Sequence, residues 1–210
     1  RADFAGADVI LKQLADGPAR VRIGLHVKEG APADLVMTTP DNLTELTNTK
    51  HLVEGTRVDF VHSRVGVAVK AGAPKPDIST TEAVKKLLLS AKSIGYSTGP
   101  SGNYVLSLFE RLGVADQVKP KLKQTPTGVF VGNIIASGEV EVGFQQVSEL
   151  AHFPGVDYVG PLPGDLQLIS VFTAGVHTGA KHPAEAQALI KFLTAPAGLA
   201  VMKKHGLEAP

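Results

Sequence analysis

Cysteine and tryptophan are absent from this chain of 210 residues, and tyrosine occurs three times. Without cysteine there is no thiolate nucleophile, no Cys-ligated zinc and no disulfide, which suits an oxidising or a reducing compartment equally. Scarce aromatic rings leave few stacking platforms for single-stranded nucleic acid or sugars. An excess of either charge is also missing, since Lys plus Arg number 21 against 20 for Asp plus Glu. No strong field therefore recruits nucleic acid or an anionic membrane, and any bound anion has to be held locally. No apolar run reaches the roughly 18–20 residues of a transmembrane helix, and "RADFAGAD" is not a charged-then-apolar leader. The expectation is a soluble piece, mature or trimmed, large enough for one α/β domain or two smaller lobes.

What is present alternates helical and extended patterns. "ADVILKQLADG" places Val9, Ile10 and Leu14 on one side and ends at Gly17. "STTEAVKKLLLSAK" opens with Ser79 or Thr80 followed by Glu82, a capping pattern. "NYVLSLFERLGV" sets Val105, Leu108, Phe109 and Leu112 on a face before Gly113, and "HPAEAQALIKFLTAP" carries Pro183 just inside a helix start. Between them "ARVRIGLH", "ADLVMTT", "RVGVAVKAG", "KSIGYST", "VEVGFQQ", "VDYVGPLP" and "QLISVFTAGV" read as strands. Such alternation predicts α/β architecture with mainly parallel sheets flanked by helices. The strands at 63–72 and 167–176 bracket a middle block with its own strands and helices. The bracket predicts two lobes, with lobe I formed by 1–66 plus 170–210 and lobe II by 67–169, and places the default ligand site in the crevice between them, at strand carboxyl ends.

The stretch "YSTGPSGNY", 96–104, lies where a strand becomes a helix. Its residue types suit a turn and cap, and equally an anion site, because the first N–H groups of a helix lack intrahelical partners. Ser97, Thr98, Gly99, Ser101, Gly102 and Asn103 are the candidates there. Ser101 is expected as an N-cap or hydroxyl donor, and Gly102 and Asn103 as backbone N–H donors. A bulky residue at position 102 is accordingly expected to weaken binding more than folding.

In "VGFQQVSEL", 142–150, Gln145 and Gln146 follow a strand and must face opposite sides if it persists, so at most one meets the ligand. Nucleotide loops are absent, and "GPSGN" lacks the second glycine of a nucleophile elbow, so no catalytic residue is assigned. No two of the seven histidines share the one-turn spacing of a helical metal site, and His177 and His182 read as solvated loop residues. Glu139 and Glu141 read as a solvated strand face, while Glu149 lies nearer the crevice or caps a helix. No metal and no cofactor are expected.

"KEGAPADLVM", "RVGVAVKAGAPKP", "SGNYVLSLFERLGV", "IASGEVEVGFQQVSEL" and the stretch from "VFTAGVHTGAKHPAEA" to "KKHGLEA" resemble, in order and spacing, the molybdate-binding type of substrate-binding proteins of ABC transporters. The resemblance runs from about residue 28 to the end. It implies a type 2 periplasmic-binding fold with two hinge crossings and a small anion held without counter-charge by hydroxyls and N–H groups. It further implies delivery to an ABC permease from the periplasm by a monomer that binds no nucleic acid. "GPSGNY" is similar to the family's Pro-x-Gly-x-Tyr segment, and Gln146 falls where molybdate binders place a ligand-contacting tyrosine. Glutamine there favours a different oxygen-rich anion, such as a small carboxylate. "VRIGLHVKEG" and "ADGPARVRIG" are too short for the family's serine-bearing loop and for the link between first helix and second strand. Either the chain is a shortened relative or segments are missing and the numbering closes over them. The second is favoured, and Gly6, Ala7 and Thr38 are then only nearby ligand candidates.

The same scaffold leaves two alternatives. One is an isomerase similar to aconitate isomerase, which needs a base within reach of an acidic carbon, a part that Glu149 or a residue of a missing loop could serve though no residue is compelling. The other is a ligand-sensing domain of a transcription regulator.

Overall fold

The computed structural model describes residues 33–210. In chain order the described elements are β1 (Leu35–Thr38), α1 (Pro40–Asn48), β2 (Val58–Lys70), α2 (Thr81–Ser90), β3 (Ile94–Tyr96), α3 (Pro100–Arg111), α4 (Ala115–Val118) and β4 (Leu122–Gln124). There follow α5 (Val131–Ala136), β5 (Val142–Gln146), α6 (Val147–Leu150), β6 (Val156–Pro161), β7 (Ile169–Val176), α7 (Pro183–Thr194), α8 (Pro196–Lys204) and β8 (Leu207–Glu208). The helices expected at "ADVILKQLADG" and the strand at "ARVRIGLH" lie outside the described residues, as do Gly6 and Ala7. Among the described residues no helix is long and apolar enough to cross a membrane.

The chain divides into two compact units, one ending at His62 and resuming at Val171, the other spanning Ser63–Ser170. The sequence bracket sets these crossings at 66/67 and 169/170. In the first unit β1 runs antiparallel to β7, from Leu35 opposite Val176 to Thr38 opposite Thr173. Phe60, Val61, Ala174, Val176, Ile190 and Met202 form its main core. Asp34, just before β1, accepts the N–H groups of Lys181 and His182 at 2.6 and 2.9 Å and so fixes the approach to α7. The N–H of His182 and the other donors hold its carboxyl below the usual range.

In the second unit β3 is the middle of a parallel trio, with Tyr96 opposite Gln124 of β4 and Phe144 of β5. β2 then runs antiparallel to both β5 and β6. The sheet is therefore mixed rather than mainly parallel. Strand–helix alternation accounts for the trio, but β2 is the strand by which the chain enters the unit, and no helical crossover precedes it to enforce parallel pairing.

One face of this sheet packs Val65, Val67, Ile94, Val142 and Phe144 against Val84 and Leu88 of α2 and Val105, Leu108 and Phe109 of α3. Of the residues that the apolar spacing pointed inward, Val105, Leu108 and Phe109 are buried here and Leu112, just past α3, is half-buried. On the other face Gly95 and Gly143, paired across β3 and β5, let α5 sit close. A Cβ at Gly143 would come within 2.5 Å of Ile135 and one at Gly95 within 2.9 Å of Ile134. Two small residues thus bring α5 onto the strands just before their carboxyl ends.

Candidate functional site

The junction of β3 and α3 is a backbone-to-backbone contact. A Cβ at Gly102 would lie 1.7 Å from the Ser97 carbonyl oxygen, so only glycine lets the helix start against the strand end. Gly99 is the N-cap in extended conformation, and Pro100 at the first helical position supplies a preset φ where no N–H is needed. The Gly99 carbonyl accepts the N–H groups of Gly102 at 3.0 Å and Asn103 at 3.2 Å. Those two donors, expected to face an anion, are already engaged inside the helix.

Ser101 holds the second helical position instead of the N-cap. Its N–H has no backbone acceptor among the described residues. Its hydroxyl lies 3.3 Å from that of Ser97. Both serines are buried, at 2 % and 7 % exposure. Thr98 and Asn103 are exposed. Tyr104, the tyrosine of the motif, donates to the Leu166 carbonyl at 2.9 Å, which ties α3 to the chain before β7.

At the end of β5 the two glutamines do separate to opposite faces. Gln145 turns toward α5, where its Oε1 accepts the Val131 N–H at 2.8 Å. Its side chain also hydrogen-bonds Glu149. Gln146 turns the other way and donates Nε2–H to Ser170 Oγ at 2.8 Å. It is also the N-cap of α6, with Glu149 three residues on. The Glu149 carboxylate accepts the Gln146 backbone N–H, the reach-back half of a capping box. Burial nevertheless pushes the Glu149 carboxyl from its ordinary 4.5 up to about 7, against the opposing pull of those two hydrogen bonds.

The third strand end is that of β4. The Thr125 N–H donates to the Tyr96 carbonyl at 3.0 Å, which extends the ladder one residue past the strand. Thr125 is 1 % exposed and its hydroxyl has no partner among the described residues. The Ser63 hydroxyl and Gln146 Oε1 are likewise buried without a partner there. A desolvated hydroxyl or amide oxygen left unpaired costs roughly 1–3 kcal/mol, so each one marks a place where a partner is wanted.

Ser97, Thr98, Gly99, Ser101, Gly102 and Asn103 are thus gathered at one junction, with Gln146 on the adjacent strand β5. Thr38 belongs to the other unit, where its Oγ1 accepts from Asn42 Nδ2 and its carbonyl from Thr173 Oγ1. Thr125, Ser63 and Ser170 escaped the sequence reading. None carries a motif, and only the Pro126 after Thr125 hinted at a fixed extended residue. Among the described residues no three His, Asp or Glu side chains converge on a metal position. His51 and His177 stack at 6.0 Å, and His177 Nδ1 accepts the Gly179 N–H.

The sequence profile of the family described as bacterial extracellular solute-binding protein matches residues 1–208. The chain belongs to that family. Aconitate isomerase of Pseudomonas sp. is 35% identical to this solute-binding protein over 178 residues, covering 84% of the chain and 68% of the isomerase. The molybdate-binding protein ModA of Azotobacter vinelandii is 28% identical over 190 residues, covering 86% and 73%. The solved periplasmic molybdate-binding protein of Azotobacter vinelandii superposes with a TM-score of 0.70 at 19% identity, covering 96% of this chain and 84% of that one. The two-lobed periplasmic-binding fold and the resemblance to molybdate-binding proteins, both expected from the motifs, are found here.

Proposed function

We propose that this protein captures a small oxyanion or carboxylate in the periplasm and delivers it, as a monomer, to an ABC permease. The observation that carries the reading is the pair of buried, uncharged hydroxyls, Ser97 and Ser101, at the start of α3 beside the end of β5. Neutral donors and an N-terminal helix dipole stabilise an anion without a counter-charge. The Gln146 amide adds a group able to offer N–H or oxygen, since rotating the amide by half a turn preserves a bond to the Ser170 hydroxyl. Ligand-dependent thermal shift against molybdate, sulfate, phosphate, citrate and trans-aconitate tests it. A shift with at least one is expected, and silence across the panel would sink the proposal.

A second reading, an isomerase of aconitate-like tricarboxylates, is favoured by one observation: the Glu149 carboxyl, three residues after Gln146 and bonded to its N–H, is pushed up to about 7 by burial. A general base works best when its pKa lies near the operating pH. If this reading holds, the protein interconverts cis- and trans-aconitate and Glu149→Gln abolishes the interconversion while leaving a thermal shift with trans-aconitate. No interconversion by the wild type removes it.

A further inference from the structure

We infer that Thr125 is a ligand-binding residue, its hydroxyl donating a hydrogen bond to the same anion that Ser97 and Ser101 hold. The inference rests on the anion-binding reading above and adds a residue and a third strand to it.

Three parallel strand ends lie side by side in the order β4, β3, β5. The register sets Gln124 opposite Tyr96, and the Thr125 N–H bonds the Tyr96 carbonyl, so Thr125 is the ladder neighbour of Ser97. Adjacent strands are about 4.8 Å apart, a spacing at which hydroxyls on neighbouring strand ends reach oxygens of one small anion. Pro126 holds Thr125 extended, and a β-branched side chain has restricted χ1, so the hydroxyl is preset rather than free to search.

The unpaired state of Thr125 Oγ1 supplies the independent sign. At 1 % exposure the hydroxyl is withdrawn from water and has no partner among the described residues. Valine would fill the same volume without that desolvation cost. A threonine in such a place is explained when its O–H has an acceptor during function, and an anion at the strand ends provides one. Ser97 and Ser101 differ in this respect, because each has the other's hydroxyl within 3.3 Å.

Isothermal titration of wild type, Thr125→Val and Thr125→Ser with molybdate, sulfate, phosphate, citrate and trans-aconitate tests the inference. For whichever anion the wild type binds, Thr125→Val is expected to raise Kd at least tenfold with an unchanged or higher Tm, and Thr125→Ser to stay within threefold of wild type. Equal Kd for wild type and Thr125→Val overturns the inference and leaves the anion-binding reading standing. A wild type that binds no member of the panel overturns both. Should Thr125→Val fold poorly, Thr125→Ala against Thr125→Ser makes the same comparison, and equal affinities of those two overturn it.

Discussion

Glu149 is held by two N–H donors and still titrates near neutrality, because partial burial removes more hydration than the donors restore. Its folded pKa of about 7 stands above the ordinary 4.5. The folded state therefore keeps a proton that the unfolded chain releases. The resulting stability is fully present below the unfolded value and is lost as pH rises through the folded one. Wild type should lose up to roughly 3 kcal/mol relative to Glu149→Gln between pH 4.5 and 7.5, read from urea denaturation of the two at matched pH. Parallel pH profiles would place the Glu149 pKa back at its ordinary value. The residue the sequence left open between crevice and cap turns out to be a cap with an unusual proton affinity.

Among the elements, those long enough to show a period were legible. α2, α3 and α7 follow apolar spacing over 10 or 12 residues, and β7 follows a β-branched run. β4 at three residues and α5 at six are too short for any period to emerge, and both flank the candidate site. The 13 residues of β2 begin at Val58, earlier than "RVGVAVKAG" suggested, because Val58, Phe60 and His62 alternate with only one clear core residue among them, Phe60. The junction of β3 and α3 was placed correctly by turn residues, but its chemistry was not. Sequence gives Gly102 an N–H to offer, whereas the structure gives it a missing Cβ. Gly102→Ala should thus lose both stability, by roughly 1–3 kcal/mol, and ligand affinity, since the clash is with fixed backbone. Preserved stability in thermal and urea unfolding would contradict this contact. Thr125 was illegible for a different reason: an unpaired hydroxyl is a property of its surroundings, which no local pattern encodes.

For the whole molecule, each of the two units has a hydrophobic core of its own. The sequence has no cysteine to form a disulfide, and an anion that binds the folded state would add to its stability. At 100 times its Kd it should add about 2.7 kcal/mol, and Tm should rise with ligand concentration without a plateau at saturation. A plateau would point to binding by the unfolded chain as well. The small net charge of +1 fits the proposed scheme, since recognition by neutral groups responds weakly to ionic strength.

Two identical neighbours, Gln145 and Gln146, are assigned opposite tasks by nothing more than the two-residue repeat of a strand. The first fastens α5 and Glu149, so substituting it disturbs the scaffold. Among the described residues the second bonds Ser170 through its Nε2 and keeps its oxygen unspent. Under the proposed anion-binding function, a substitution at position 146 is expected to change ligand preference with the scaffold intact, whereas one at position 145 loosens α5 from the sheet.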